Sequence, residues 1–330
     1  MEISENTFSK SEIGNQPSKI ILLTGLIIAV CGTVAAVHRP VLSARAMLFD
    51  DRQYIAANPL VRNPSWASAK RFLTEILEPS TVEGYYQPLA MISLMFDHAL
   101  GGRPDDLMPF HRTSLILHTA NTALVIILLY LLFGSAWAAA GAGLLFGVHP
   151  MTVEPVAWVG DRKTLLAAFF SFWSLICYVK YAKNTEFRIQ NSAERHKKGF
   201  NAVYCLLTTV FYILALLSKP TSTMLPAAML LMDFWPLRRL SRKTVFEKLP
   251  FFVLCCVSAV ITYISQGRTS YMLSPAEARW GEAPLMVCYN IIFYLSKISW
   301  PAYLSSFYAY PDPFSLTNLQ VLAGVLGTCG

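Results

Sequence analysis

Long apolar stretches alternate with short polar ones along this chain, and the lengths of the apolar stretches govern the reading. Ile20–Val37 is an 18-residue apolar run, close to the roughly 20 residues an α-helix needs to cross hydrocarbon. Further apolar stretches follow at Thr113–Phe133, Ala136–Val148, Thr164–Tyr181, Ala202–Leu217, Thr223–Trp235 and Phe251–Ser265. Leu285–Pro301 contains Lys297 and ends in Trp300-Pro301, which suits a re-entrant or interfacial helix better than a full crossing. The pattern predicts an all-α polytopic membrane protein. Thr33, Ala35 and Ala36 also give the first run the small-residue end of a signal peptide. The long polar lead-in and the many later spans favour a retained first span.

The polar stretch His38–His111 has a different rhythm. In "NPSWASAKRFLTEIL" (Asn63–Leu77), a start at Pro64 or Ser65 puts Trp66, Ala69, Phe72, Leu73 and Ile76 on one face. That spacing predicts an amphipathic helix lying on the membrane interface. "YYQPLAMISLMFDHAL" (Tyr85–Leu100) is apolar for about 12 residues, too short to span. Two such helices flanking Asp50 and Asp51 suit a roof over a cavity at the membrane surface.

Charge then orients the spans. Charged residues are 14% of the chain and AVILMFWYC residues 54%, against about 25% charged in soluble domains. The net charge of +7 comes largely from two loops, one carrying Lys180, Lys183, Arg188, Arg195, Lys197 and Lys198, the other Arg238, Arg239, Arg242, Lys243 and Lys248. Basic loops between apolar runs report topology rather than nucleic-acid binding, and both are expected to be cytoplasmic. The expected plan is a cytoplasmic N-terminus (1–19), a first span (20–37) and a large exported loop (38–111). A multi-span region (112–318) with basic loops 182–200 and 237–249 follows, and 319–330 begins another span. The seven cysteines all lie in apolar stretches without metal-ligand spacing, as small buried hydrophobes would.

This topology sends a set of acids and bases to one face. Asp50 and Asp51 come from the first loop, His149, Glu154, Asp161, Arg162 and Lys163 from "HPMTVEPVAWVGDRKTLLAAFF", Lys219 from "LLSKPTSTMLP" and Lys297 from "FYLSKISWPAYLSSFYAYP". Each has a plain alternative. An Asp pair caps a helix, Lys219 snorkels, His149-Pro150 breaks a helix, and Trp66, Trp158 and Trp300 anchor at the interface. His111 and His118 are expected to pack. Positive charge at an exported helix start runs against the topological bias, however, so Arg162-Lys163 calls for a negative partner. Taken together, Arg162, Lys163, Lys219 and Lys297 suit a phosphate or diphosphate headgroup. A nearby aspartate suits removal of a proton from an acceptor hydroxyl attacking an anomeric carbon. His149, Glu154, Tyr85 and Tyr86 stand as supporting candidates.

"FDDRQYIAANPLV", "YYQPLAMISLMFDHALGG", "FHRTSLILHTANTALVIILLYLLFG", "GLLFGVHPMTVEPVAWVGDRKTLLAAFF" and "LLSKPTSTMLPAAMLLMDFWPLRR" occur in this order. They resemble the membrane portion of the transmembrane and tetratricopeptide-repeat O-mannosyltransferases and their bacterial relatives. "SKP" and "DFWPLRR" are nearer the bacterial branch. The resemblance implies a C-type glycosyltransferase (GT-C) fold in a bacterial inner membrane, with the active site on the exported face. It implies a polyprenyl-phosphate sugar donor, with mannose the expected sugar, and a protein hydroxyl as acceptor. It also implies an acidic base at Asp50 or Asp51 and no metal or other cofactor. Relatives continue into further spans and repeats, whereas this chain stops at "NLQVLAGVLGTCG" and shows no repeat of about 34 residues. A truncated, inactive relative and a lipid-linked-sugar binder or transporter are therefore the competing expectations. A transporter is disfavoured by the absence of internal symmetry between halves.

Overall fold

The computed structural model describes residues 16–45, 50–76, 80–84, 86–190, 198–269, 281–305 and 307–329. Met47–Phe49, Tyr85 and the basic residues Arg195 and Lys197 therefore lie outside the described residues. All regular secondary structure among the described residues is helical. Among the described residues five helices are long and apolar enough to cross a membrane: Pro17–Ser43, Met108–Phe133, Val159–Thr185, Asn201–Ser218 and Arg242–Thr269. The chain is an all-α, multi-pass membrane protein.

Two compact units divide the chain. The larger comprises residues up to 148 and 155–269. Its principal helices are α1 (Gln16–His38), α2 (Trp66–Leu73), α3 (Pro88–Ala99), α4 (Met108–Phe133), α5 (Ala136–Gly147), α6 (Arg162–Gln190), α7 (Lys198–Ser218), α8 (Leu225–Phe234) and α9 (Leu249–Thr269). Leu124, Ile176, Tyr212, Met229 and Phe251 meet in the core between α4, α6, α7, α8 and α9. A second cluster, Val30, Val34, Ile126, Ala139 and Ala140, holds α1 and α5 on α4.

Only 10 residues of the expected span Thr223–Trp235 are α-helical, because a 3-10 turn, Pro220–Met224, precedes α8. Pro220 and Pro226 each lack an amide hydrogen, so neither can extend a regular helix from behind. The segment nonetheless runs alongside α6 through its depth. Lys219 meets Thr164 near the start of α6, and Asp233 meets Tyr178 four turns on. Cys205, Cys256 and Cys329 are exposed, a correction to their reading as buried hydrophobes, whereas Cys177 is buried.

The stretch before α4 contains both expected helices and also builds a buried core within the larger unit. Ile55, Val61, Phe72, Val82, Met91, Leu94 and Phe110 form one buried core with Tyr54 and Val159. Ser65 caps α2 by accepting the Ser68 amide N–H at 3.1 Å, as its position predicts. Of the apolar face expected on α2, Ala69 and Phe72 are buried in this core and Trp66 is 81% exposed. Glu75 accepts hydrogen bonds from the Thr81 amide and hydroxyl, both at 2.9 Å, and from Ser80 Oγ at 3.1 Å. Gly84 accepts from Ser265 Oγ at 3.1 Å, which ties the loop to the end of α9.

The smaller unit, residues 149–154 and 270–330, contains α10 (Ala283–Ser299) and α11 (Leu319–Cys329). At 17 residues α10 is among the shorter apolar helices rather than those of spanning length. Tyr289 and Phe293 of α10 stack on each other and meet Phe314 and Tyr308, respectively, edge to face, and Tyr310 meets Phe314 likewise.

Close packing of α5 on α4 depends on Gly143, where an added Cβ would lie 2.3 Å from Ile126 Cγ1, while Gly141 on the same helix faces open space. Gly143→Val is expected to destabilise the folded chain in detergent micelles by about 1–3 kcal/mol, and Gly141→Val to leave it unchanged. Paired denaturation curves check this, and equal effects at the two glycines would show that α5 does not pack as described.

Candidate active site

The short turn from Trp158 to Asp161 and the first turn of α6 bring the candidate groups together. Asp51 begins a π-helical turn, Arg52–Ala56, and its side chain is almost fully buried. Its Oδ1 accepts the Gly160 amide N–H at 2.7 Å. A Cβ at Gly160 would sit 3.0 Å from that oxygen and 3.0 Å from Trp158 Nε1, so glycine permits the approach. Asp50 is partly buried, and its carboxylate makes no hydrogen bond or ion pair among the described residues.

Arg162 and Lys163 part company at this point. Arg162 is wholly buried. Nε donates to Ser114 Oγ at 3.1 Å, Nη1 to Ser93 Oγ at 2.9 Å and to Asp97 Oδ2 at 2.8 Å, and Nη2 to the Phe110 carbonyl. Four of the five N–H groups of the guanidinium are thereby taken by protein. Thr113 Oγ1 donates to the other oxygen of Asp97 at 2.6 Å. Burial pushes the Asp97 carboxyl up, against the lowering pull of Arg162 and Thr113. The expectation that Arg162 grips a headgroup is thus corrected. It is an internal clamp joining α3, α4 and α6.

Lys163 is 7% exposed. Its Nζ donates to Tyr54 Oη at 3.1 Å and lies 5.0 Å from the Tyr54 ring and 5.6 Å from the Trp158 ring. Gln87 Nε2 donates to the same phenol oxygen at 2.6 Å. No carboxylate lies within 4.0 Å of this ammonium among the described residues. A buried cation without an ionic partner is costly unless an anion joins it.

Lys219 precedes the 3-10 turn before α8 and is partly exposed. It donates to Thr164 Oγ1 at 2.7 Å and lies 3.5 Å from Asp161 Oδ1. Thr164 in turn donates to Asp161 at 2.6 Å. Lys219 and Thr164 head a groove of about 310 Å³ whose apolar part is lined by Ala167, Ala168, Met224, Leu225 and Ala228.

The remaining candidates hold structural positions. Tyr86 donates to the Leu73 carbonyl at 2.8 Å, and burial, with Glu75 nearby, pushes its phenol up to about 12. In the smaller unit, His149 Nδ1 accepts the Met151 amide at 3.3 Å, which leaves Nε2 to donate to the Ile298 carbonyl at 3.0 Å. Lys297 donates to the carbonyls of Ala302 at 2.7 Å and Tyr303 at 3.3 Å, beyond the end of α10. Glu154, in the same unit, is exposed. Trp158, expected as an interface anchor, instead flanks Lys163. His111 and His118 are buried, as packing residues would be. Tyr54, Gln87 and Asp97 were not anticipated. Asp97 alone carried a sequence signal, as a carboxylate inside an apolar helix.

Part of the chain is similar to curated relatives. Protein O-mannosyl-transferase TMTC2 of Homo sapiens is 32% identical over 138 residues, covering 40% of this chain and 16% of that protein. Protein O-mannosyl-transferase Tmtc2 of Drosophila melanogaster is 31% identical over 141 residues, 41% of this chain and 15% of its own length. Protein O-mannosyl-transferase TMTC4 of Homo sapiens is 29% identical over 156 residues, 43% of this chain and 20% of its own length. The chain therefore spans a fifth or less of the length of these relatives. No family model matches the chain, and no solved structure does.

The clamp makes a specific claim about stability. Arg162→Met leaves the Asp97 carboxylate buried without its partner and is expected to cost about 3–5 kcal/mol. Adding Asp97→Asn removes that charge and should recover at least half of the loss. Unfolding of the wild type, both single variants and the double variant measures the coupling, and additive effects would separate the two residues.

Proposed function

We propose that this chain is the donor-binding and catalytic portion of a membrane glycosyltransferase that moves a sugar from a polyprenyl-phosphate donor to a protein Ser or Thr hydroxyl. The likeness to protein O-mannosyl-transferases makes mannose the sugar. The observation that carries this reading is the Asp51–Gly160 contact. It sets a pair of carboxylates beside a turn that leads directly into Lys163, a buried cation with no carboxylate partner among the described residues, while Lys219 shares the turn's Asp161.

In this reading Asp50 is the base and Asp51 the positioning residue. Asp51 spends an oxygen on the Gly160 amide, whereas the Asp50 carboxylate has no partner among the described residues and is partly exposed. Asp50 takes the hydroxyl proton as the acceptor oxygen bonds to the anomeric carbon. The bond from that carbon to the phosphate oxygen breaks with inversion, through an oxocarbenium-like transition state. Lys163 and Lys219 bind the phosphate before and after transfer, as point charges. The apolar groove below Lys219 receives the start of the lipid chain. The active face is the exported one and the basic turns are cytoplasmic, following the positive-inside bias. The bacterial inner membrane is the setting, from the "SKP" and "DFWPLRR" segments.

Steady-state kinetics with a polyprenyl-phosphate mannose and a peptide acceptor tests the assignments in the full-length protein. Asp50→Asn is expected to lower kcat by about 10²–10⁴-fold with little change in KM. Lys163→Gln is expected to raise the donor KM about ten- to a hundredfold, as loss of a charge-assisted bond would. Full kcat in Asp50→Asn together with loss in Asp51→Asn would exchange their roles. Donor binding without turnover in the wild type would favour a lipid-linked-sugar binder.

A further inference from the structure

At the far end of the same helices the basic turn between α8 and α9 is divided into two populations. Between Asp233 and Leu249 the chain carries five cations and two carboxylates. Two of the cations face inward. Lys248 is fully buried and its Nζ lies 2.6 Å from Asp233 Oδ2, while Arg239 lies 3.0 Å from Asp233 Oδ1 and 2.6 Å from Glu247 Oε2. Tyr178 donates to Asp233 as well, and its ring sits 4.7 Å from Lys248 Nζ. Both carboxylates of the segment are consumed by this cluster.

The other three cations, Arg238, Arg242 and Lys243, are exposed and make no ion pair among the described residues. The backbone enforces the division. Arg238 adopts a left-handed conformation, φ 52°, which a residue with a side chain seldom takes. The turn is closed by the Leu237 amide on Met232 O at 2.9 Å and the Arg239 amide on Asp233 O at 2.8 Å. Two adjacent arginines thus end in opposite environments. Exposed apolar groups border the three outer cations: Phe234 at 64%, Trp235 at 56% and Phe246 at 66%. Trp235 also packs on Phe133 at the end of α4, with ring centroids 5.4 Å apart.

The depth of the turn is set by α6. Lys163 lies in its first turn and Tyr178 beside the Asp233 cluster, 15 residues and about 22 Å further at 1.5 Å per residue. The outer cations lie beyond Tyr178, which brings them to the opposite boundary of a hydrocarbon core about 30 Å thick. Uncompensated Arg and Lys mixed with Trp and Phe at that depth match the charge of an anionic lipid surface and the polarity step of its boundary.

We propose that the turn from Phe234 to Phe246 is a headgroup site for anionic phospholipids. Arg238, Arg242 and Lys243 take the phosphodiester, and Phe234, Trp235 and Phe246 seat at the acyl boundary. The site is independent of the proposed transferase chemistry, and its partner is lipid rather than soluble phosphate.

The full chain in nanodiscs of mixed phosphatidylcholine and phosphatidylglycerol tests this, with the lipids retained after mild delipidation counted by native mass spectrometry. The wild type is expected to retain phosphatidylglycerol preferentially. Each charge near an anionic surface is worth about fivefold, so the triple variant Arg238→Asn, Arg242→Gln, Lys243→Gln should lose on the order of a hundredfold in preference. The pair Arg62→Gln, Lys70→Gln, exposed in the loop before α4 at the other end, should keep it. If the triple variant elutes as aggregate, the single variants, each expected to lose about fivefold, carry the test. An unchanged preference in the triple or single variants overturns the proposal, as does an equal loss in the Arg62/Lys70 pair. Displacement of the lipid by inorganic phosphate at matched ionic strength also overturns it.

Discussion

A guanidinium removed entirely from water must recover its hydration from protein, since a buried ion left unmatched costs several kcal/mol. Arg162 recovers it from two other helices at once. Ser93 and Asp97 lie on α3, Ser114 and the Phe110 carbonyl on α4, and Arg162 itself opens α6. Because those acceptors lie 48 to 69 residues from Arg162 in sequence, the bonds cannot form until the long loop before α4 has docked on the spans. Asp51 on Gly160 and Tyr54 on Lys163 are then consequences of the same docking. They place the carboxylate pair and the Lys163 ammonium at one end of the bundle, with no ion pair between them among the described residues.

The spans and the loop's helices were legible in the sequence because each is set by a local period. Continuous apolar runs gave α1, α4, α6, α7 and α9, and the Ser65 cap gave the start of α2. The division of labour between Arg162 and Lys163 was not legible. As neighbours in sequence they read as one positive site, but successive residues of a helix point about 100° apart. One side chain therefore enters the α3–α4 interface while the other faces Tyr54 and Trp158. Nothing in the local pattern marks which does which, because the deciding groups, Asp97, Tyr54 and Gln87, lie 65 to 109 residues away in the chain. Asp97 gave the one hint, being an ionisable group whose burial demanded a partner.

The basic turn after α8 shows the same limit from the other side. Counting charges identified the turn as a topological flank, and for Arg238, Arg242 and Lys243 that reading describes their exposure. It missed that Asp233 sits at the end of an apolar helix with no water to screen it. Such a carboxylate draws in the nearest cations that the backbone can deliver. Arg239 and Lys248 are delivered by the left-handed turn at Arg238 and by the turn just before α9, and both lose their solvent.

One electrostatic rule then operates at both ends of the bundle. At each end an arginine is spent internally, Arg162 on Asp97 and Arg239 on Asp233 and Glu247, where a planar fork can hold several acceptors together. At each end a neighbouring cation has no carboxylate partner among the described residues, Lys163 in one case and Arg238 in the other. The spent arginine fixes the backbone, and the fixed backbone holds the uncompensated cation where it cannot retreat to a partner of its own. Its charge is then available to an anion from outside the chain. At the buried end Lys163 has already lost most of its water, which suits the single phosphate proposed for it. At the exposed end the cations stay hydrated and gather over a wider surface, which suits the many weak contacts of a lipid headgroup layer. The difference in burial, rather than in charge, separates the proposed phosphate site from the proposed lipid contact in this fold.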